Sequence, residues 1–382
     1  MKKAAVLLFV LFTGLNGISA DVITTVTLTQ LAGLYQGAEK EPVLSGLSRG
    51  DVSFKSTGNK NVKSELSLKA SVGETALFEV DKAYIKTRFP AFRTTIGKTR
   101  LAWGDGFFFN TGDVIFGSVN PLADLTEDEV RTESSWLGSV FVPTGRFSFI
   151  EGVILPPQID LALEYWKQTK EQEAGTPENY VPPSPEIGET GAGVRIQGKL
   201  REVKTEAGYF YKGQTMEHQP YVSAQGNIYV DWYASAATAL SEGPEEDNGF
   251  YENLKISWGL YHIAKPSRDV TLNLRLEGLV LPDGRWKEGE DYYSPQTIGQ
   301  YYGVYLYPEI SAGLPGHKSF FIRGVYSPVD TSGLGTVGAS WNIYQGFSVL
   351  AYATSQFGED TDQFCFTRYG GYSIAIGAEF IY

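Results

Sequence analysis

The chain has 382 residues and a formal net charge of −12 at pH 7, from 32 basic and 44 acidic side chains. An acidic chain of this kind is not built to hold nucleic acid by neutralising phosphates. Its single cysteine, Cys365, excludes an intrachain disulfide and with it a small disulfide-stapled scaffold.

Met1, Lys2 and Lys3 make a short positive start, residues 4–15 an apolar run, and Ala20 a small residue just before Asp21. This is the pattern of a secretory signal peptide, expected to cover residues 1–20. No cysteine follows the apolar run, which argues against a lipid-anchored protein, and the run is shorter than the ~20 residues of a spanning helix. Cleavage removes Lys2 and Lys3 and no acid, leaving 30 basic against 44 acidic residues, a net of −14. No later stretch is apolar for long enough to be a spanning helix. Any membrane span must therefore be made of strands, and residues 21–382 are expected to form one domain.

From residue 22 onward the signal is period-two alternation. Val62, Leu66, Leu68, Ala70 and Val72 alternate with Lys63, Glu65, Ser67, Lys69 and Ser71, and Leu272, Leu274 and Leu276 alternate with Asn273, Arg275 and Glu277. One apolar face per strand predicts half-buried strands. They are expected at 22–36, 46–57, 61–72, 77–89, 91–103, 133–143, 145–155, 158–168, 188–199, 203–213, 226–239, 250–263, 267–280, 299–311, 317–327, 334–343, 346–356 and 371–382. Long connections fall at 104–132, 170–187, 281–298 and 357–370. Eighteen is an even count, as a bacterial barrel requires, and sixteen is the alternative. One region breaks the expected rhythm of short periplasmic turns and long outer loops: residues 170–187 come out long on the short side, and Pro156-Pro157 short on the long side.

In the last strand, Tyr372, Ile374, Ile376, Ala378, Phe380 and Tyr382 fall on one face and Ser373, Ala375, Gly377, Glu379 and Ile381 on the other. An amphipathic strand with a terminal aromatic must pair with another strand, and in a barrel that partner is the first. The 23 tyrosines and an aromatic content of 14% suit the aromatic girdles of a transmembrane barrel. A mean hydropathy of −0.17 is compatible, because half of each strand faces water. The predicted class is all-β, a transmembrane antiparallel β-barrel of about 16–18 strands.

The most distinctive stretch is 93–133. A strand carrying Gly97, Lys98 and Arg100 leads to Trp103, Gly104, Asp105 and Gly106, then to Phe107, Phe108 and Phe109, and on to Asn120, Pro121 and Asp124. This segment, with the following Phe141-Val142-Pro143-Thr144-Gly145 and Ile150-Glu151-Gly152, resembles a family of porin-like bacterial outer-membrane barrels of unassigned function, similar to alginate-export-type porins. Thr99 replaces a glutamine common there, and one extra residue precedes Asp124. The resemblance implies an outer-membrane location and a porin-like fold.

A 104–132 loop is long enough to fold into a lumen. Asp105, Asp113 and Asp124 are then expected to face Lys98 and Arg100, a charge arrangement that sets selectivity; the bland alternative is a loop that only braces the wall. Trp103 supplies apolar anchorage. Further pore-lining candidates are Arg88, Arg195, Arg275 and Arg323, with Lys63, Glu65, Lys69, Lys86 and Glu277 also placed inward. Their basic excess suggests a mild anion preference.

Several patterns point nowhere. Gly46-Leu47-Ser48-Arg49-Gly50 matches a nucleophile elbow but lacks the strand-to-helix setting, and is read as a hairpin loop. Gly333, Gly335 and Gly338 match a dinucleotide fingerprint without a following helix. His218, His262 and His317 lack metal spacing, Asp105, Asn110 and Asp113 are not an EF-hand, and His262 is the only plausible base for an outer-membrane hydrolase. No cofactor, metal or enzymatic role is expected. The expected partners are outer-membrane lipid, the barrel-assembly machinery through the C-terminal strand, small solutes and further copies of the chain. The function expected is a channel for small hydrophilic solutes; the alternatives are a closed or plugged barrel acting as an adhesin or structural protein, and a channel for hydrophobic substrates.

Overall fold

Strands with one apolar face close into a barrel when that face can be turned to lipid, and the computed structural model shows this arrangement. The structure describes residues 22–37, 41–56, 60–73, 76–117, 125–126, 133–157, 186–241, 249–287, 301–359, 362–364 and 371–382. The expected signal peptide, the expected strand 158–168, Asp124 and Cys365 lie outside them.

One sheet contains β1 (Val22–Gln36), β2 (Pro42–Ser56), β3 (Val62–Val72), β4 (Ala76–Arg88), β5 (Arg93–Thr99), β6 (Ser135–Pro143), β7 (Phe149–Leu155), β8 (Gly191–Leu200), β9 (Val203–Lys212) and β10 (Glu217–Asn227). It continues with β11 (Asp231–Ala237), β12 (Leu240–Ser241), β13 (Lys255–Ser267), β14 (Val270–Val280), β15 (Val304–Leu314), β16 (Lys318–Ser327), β17 (Ser332–Tyr344), β18 (Phe347–Phe357) and β19 (Tyr372–Ile381). β11 and β12 are two pieces of one stave, since both pair with β10. The wall therefore has 18 staves, all antiparallel to their neighbours. It closes because β1 pairs with both β2 and β19. Closure satisfies every strand edge, which is what allows strands to sit in hydrocarbon.

Register decides the faces. Ile374, Ile376, Ala378 and Phe380 of β19 lie opposite Leu34, Ala32, Gln30 and Leu28 of β1. This face is turned outward, with Ile376 61% exposed and Leu34 48%. The other face carries Glu151, Glu206, Glu277 and Arg323, all buried inside the barrel.

The connections sort by end. At one end lie 57–61, 89–92, 144–148, 201–202, 228–230, 268–269, 315–317 and 345–346, all short. At the other lie 100–134, 156–190, 242–254, 281–303 and 358–371, with shorter links between them. This corrects the expected strand order in two places. β7 pairs directly with β8, so the wall passes from Leu155 to Gly191 without an intervening stave. A stave not expected from the alternation, β10, lies between β9 and β11. The expectation thus fell one strand short at 217–227, whereas the strand expected at 158–168 lies outside the described residues.

β10 is hard to see because His218, Pro220 and Gly226 occupy its outward face. Proline lacks the ladder donor and belongs at edges or interruptions. Pro220 sits at such an interruption: its carbonyl accepts from Thr238 N at 3.2 Å, where β11 gives way to β12. Residues 46–50 are also corrected, for they run through the middle of β2 and form no hairpin loop.

Candidate channel constriction

After β5 the chain leaves the wall and enters the lumen. Gly97 makes the departure possible: its φ is +125°, and a Cβ there would lie 2.1 Å from the Ala83 carbonyl oxygen. Residues 100–117 then cross the barrel interior and are received by side chains of one arc of the wall.

Three wall carboxylates hold this segment. On β7, Glu151 accepts the Trp103 indole N–H at 3.3 Å. On β9, Glu206 accepts the Gly104 N–H at 2.9 Å and the Tyr221 hydroxyl at 2.5 Å. On β14, Glu277 accepts three successive backbone N–H groups, of Phe107 at 3.1 Å and of Phe108 and Phe109 at 2.8 Å each. Burying a carboxylate is costly unless it is paired and hydrogen-bonded, and charge-assisted bonds contribute about 1.5–3 kcal/mol each. These three are satisfied largely by the loop and by arginines.

Arg195 is the cation of the first cluster. It lies 2.6 Å from Glu151 and 3.2 Å from Glu206, and it donates to the Ala102 carbonyl at 3.2 Å. Trp103, fully buried, stacks on Tyr221 and meets the edge of Phe210. Gly104, at φ +66°, lets the chain fold back on itself, since a Cβ there would lie 2.7 Å from Gly112 Cα. Asp105 pairs with Lys204 at 3.1 Å and accepts from Ser223 at 3.2 Å.

The second cluster lies further along the same arc, on β14 and β15. Arg275 sits 3.6 Å from the centre of the Phe107 ring, 3.7 Å from Glu277 and 3.4 Å from Glu309. Phe108 stacks on Tyr307 at 4.2 Å between centroids. The Tyr233 hydroxyl donates to the Phe109 carbonyl at 2.9 Å, and Thr111 N–H to Ser257 Oγ at 3.2 Å. Beyond these, Phe108, Phe109, Leu125, Tyr302, Tyr305, Tyr307 and Phe364 form an apolar core toward the long-loop end. Arg323, 4% exposed, donates to the Leu125 carbonyl at 2.5 Å.

The expected site residues thus divide. Arg100 meets Asp113 at 3.4 Å, as expected. Asp105 does not meet Lys98 or Arg100 but Lys204, and Lys98 turns to Glu79 at 3.4 Å. Arg195 and Arg275 grip the segment, while Arg323 holds the Leu125 carbonyl further along the same connection. Arg88 stands apart, exposed beside the short-turn end. Asp105 and Asp113 are taken by Lys204 and Arg100, so they do not converge with Asn110 on one cation.

Glu151, Glu206 and Lys204 were not singled out as site residues. The signal was present: an inward carboxylate in mid-strand needs a cation or N–H donors, but a strand pattern does not say which loop supplies them.

The inward face of β2–β4 carries its own pairs. Arg49 lies 3.4 Å from Asp51, Lys55 3.6 Å from Glu65 and Lys69 3.0 Å from Asp81. Lys63 stands directly opposite Lys86.

No family model and no curated protein matches the chain. Solved structures do. OprD of Pseudomonas aeruginosa superposes with a TM-score of 0.54 at 9% identity, covering 96% of this chain and 95% of that one. OccAB4 of Acinetobacter baumannii gives 0.55 at 10% identity, covering 95% and 98%. OccK2 of Pseudomonas aeruginosa, solved in complex with glucuronate, gives 0.55 at 10% identity, covering 94% and 96%. At these identities the likeness is one of fold, and that fold is the barrel of bacterial outer-membrane porins.

Proposed function

We propose that this protein is an outer-membrane channel that passes small hydrophilic solutes, with a preference for anions, past a constriction built by residues 100–117. One observation carries the reading: the infolded segment is bound to the arc from β7 to β16, while the β2–β4 wall facing it is lined with paired and unpaired charges. A route along that wall is polar and wet. On it Arg49, Lys55, Lys63, Lys69, Lys82 and Lys86 outnumber Asp51, Glu65, Glu79 and Asp81. Lys63 opposite Lys86 is unfavourable for stability, since like charges directly across a strand pair repel, and suits a wall that attracts anions. The resemblance of 93–133 to alginate-export-type porins and the glucuronate held by OccK2 both agree with an acidic sugar as solute.

The test is single-channel conductance of the refolded protein in a planar bilayer, with the reversal potential in a salt gradient and glucuronate as a blocking probe. Steady conductance, an anion-selective reversal potential and block by glucuronate are expected. A cation-selective potential overturns the anion preference. Silence from a folded barrel overturns the channel itself and favours a sealed barrel, for which the apolar core around Phe108, Tyr305 and Phe364 is the supporting observation.

A further inference from the structure

On β2–β5 most charges are matched one to one. Arg49 meets Asp51, Lys69 meets Asp81 and Lys98 meets Glu79. Glu65 is taken by Lys55 at 3.6 Å and by the Tyr84 hydroxyl at 2.7 Å. Toward the short-turn end the matching stops. Lys63 on β3 stands directly opposite Lys86 on β4, and Arg88 on β4 directly opposite Arg93 on β5. None of these four has an acidic partner among the described residues. The bordering turns, Thr57-Gly58-Asn59-Lys60-Asn61 and Phe89-Pro90-Ala91-Phe92, contain no acid.

All four face the lumen. Arg93 lies opposite Phe141, and Phe141 opposite Glu151, which is buried inside the barrel. Lys86 is two residues from Arg88 on one strand and so shares its face. Three adjacent strands and two residues of rise make a patch of about 10 by 7 Å. Two rings aim the cations: the Lys86 ammonium lies 4.7 Å from the centre of the Tyr84 ring, and the Arg93 guanidinium 5.3 Å from that of Phe141. Like charges directly opposite each other lower stability, and here two such pairs stand side by side. A third like-charged pair at this end, Lys199 opposite Lys204, is relieved by Glu202 and Asp105.

We propose that Lys63, Lys86, Arg88 and Arg93 form a binding site for the phosphoryl group of a small solute, at the mouth that an outer-membrane barrel turns to the periplasm. A phosphoryl group carries about −1.5 to −2 charges on three acceptor oxygens. Guanidinium forks match it with paired N–H donors, and lysines add point charge. A lone carboxylate brings one charge on two oxygens and leaves the two repulsive pairs largely uncompensated. The oxyanion that relieves both pairs is the one with more charge and more acceptors. Headgroup phosphates of the membrane lie outside the wall and do not reach side chains that face the lumen. As a class of solute this rests on the channel reading above; as a binding site it does not.

The test is isothermal titration of the refolded protein in octyl glucoside, a phosphate-free detergent, at low salt and about pH 8, where a phosphoryl group is dianionic. The probes are inorganic phosphate, glucose 6-phosphate and glucuronate. Both phosphoryl probes are expected to bind at least about tenfold more tightly than glucuronate. Arg88→Ser combined with Arg93→Ser is expected to abolish that preference and Lys63→Ser combined with Lys86→Ser to weaken it, while Arg268→Ser, in the turn after β13, leaves it unchanged. Removing either pair relieves repulsion, so both double variants are expected to fold, with heat-modifiability on gels as the check. Either one decides the matter if the other does not fold. Binding of inorganic phosphate without glucose 6-phosphate keeps the site and assigns it to the free ion. No phosphoryl binding, equal affinity for phosphate and glucuronate, or a preference that survives in the folded double variants overturns the proposal. Because conductance is not read, a silent barrel that binds phosphate removes the channel and keeps the site, and a conducting barrel without the preference removes the site alone.

Discussion

Glu277 is the residue on which the lumen segment depends most directly. Its two oxygens receive three consecutive backbone N–H groups, and each buried donor left without an acceptor costs about 1–3 kcal/mol. Glu277→Ala is expected to leave the barrel folded and free the 107–109 stretch, seen as higher mean conductance and greater open-channel noise. Glu277→Gln keeps one acceptor oxygen and is expected to fall between. A bilayer recording in which the alanine variant matches wild type would show that the segment is held elsewhere. Arg195 acts differently, because it neutralises two buried carboxylates at once. Its replacement by alanine leaves Glu151 and Glu206 without their cation, and a loss of about 3–5 kcal/mol is expected from urea unfolding in vesicles. Arg195 was legible in the sequence as an inward charge. Its partners were not, because Glu151 and Glu206 are 44 and 11 residues away from it along the chain and meet it only across three adjacent staves.

At the scale of elements, the strands with strict alternation were read almost to their ends: β1 matches the expected 22–36 in full, and β3 and β16 agree within a residue. Alternation is legible because lipid on one side and water on the other impose it on every strand. Where the outward side chain is Pro220 or His218, the pattern fades and β10 is missed. Lipid-facing positions give a direct check of the assigned faces. Val337 lies mid-way along β17, opposite Ile322 and Ala353. Val337→Arg is expected to lower stability by about 2–4 kcal/mol in a bilayer, the cost of an arginine near the midplane. An unchanged unfolding midpoint would mean that the face points inward.

At the scale of the molecule, the lumen is asymmetric. The segment and its apolar support lie against β7–β16, and the charged wall of β2–β4 lies across from them. Selectivity should then depend on charges far in sequence from the loop. Exchanging Lys63 and Lys86 for glutamate together is expected to move the reversal potential toward cations without changing the unfolding midpoint by much, since a repulsive pair is replaced by another. The amino-acid sequence by itself determined the class of fold, because a closed barrel in lipid writes its period of two, its aromatic bands and its short turns directly into neighbouring residues. It also marked 93–133 as unusual. Only the tertiary structure decided that Glu277 receives the backbone of the aromatic stretch, that Asp105 meets Lys204, and that Gln30 faces outward. Each of these follows from register between strands distant in sequence, and a one-residue shift of register would reverse every face.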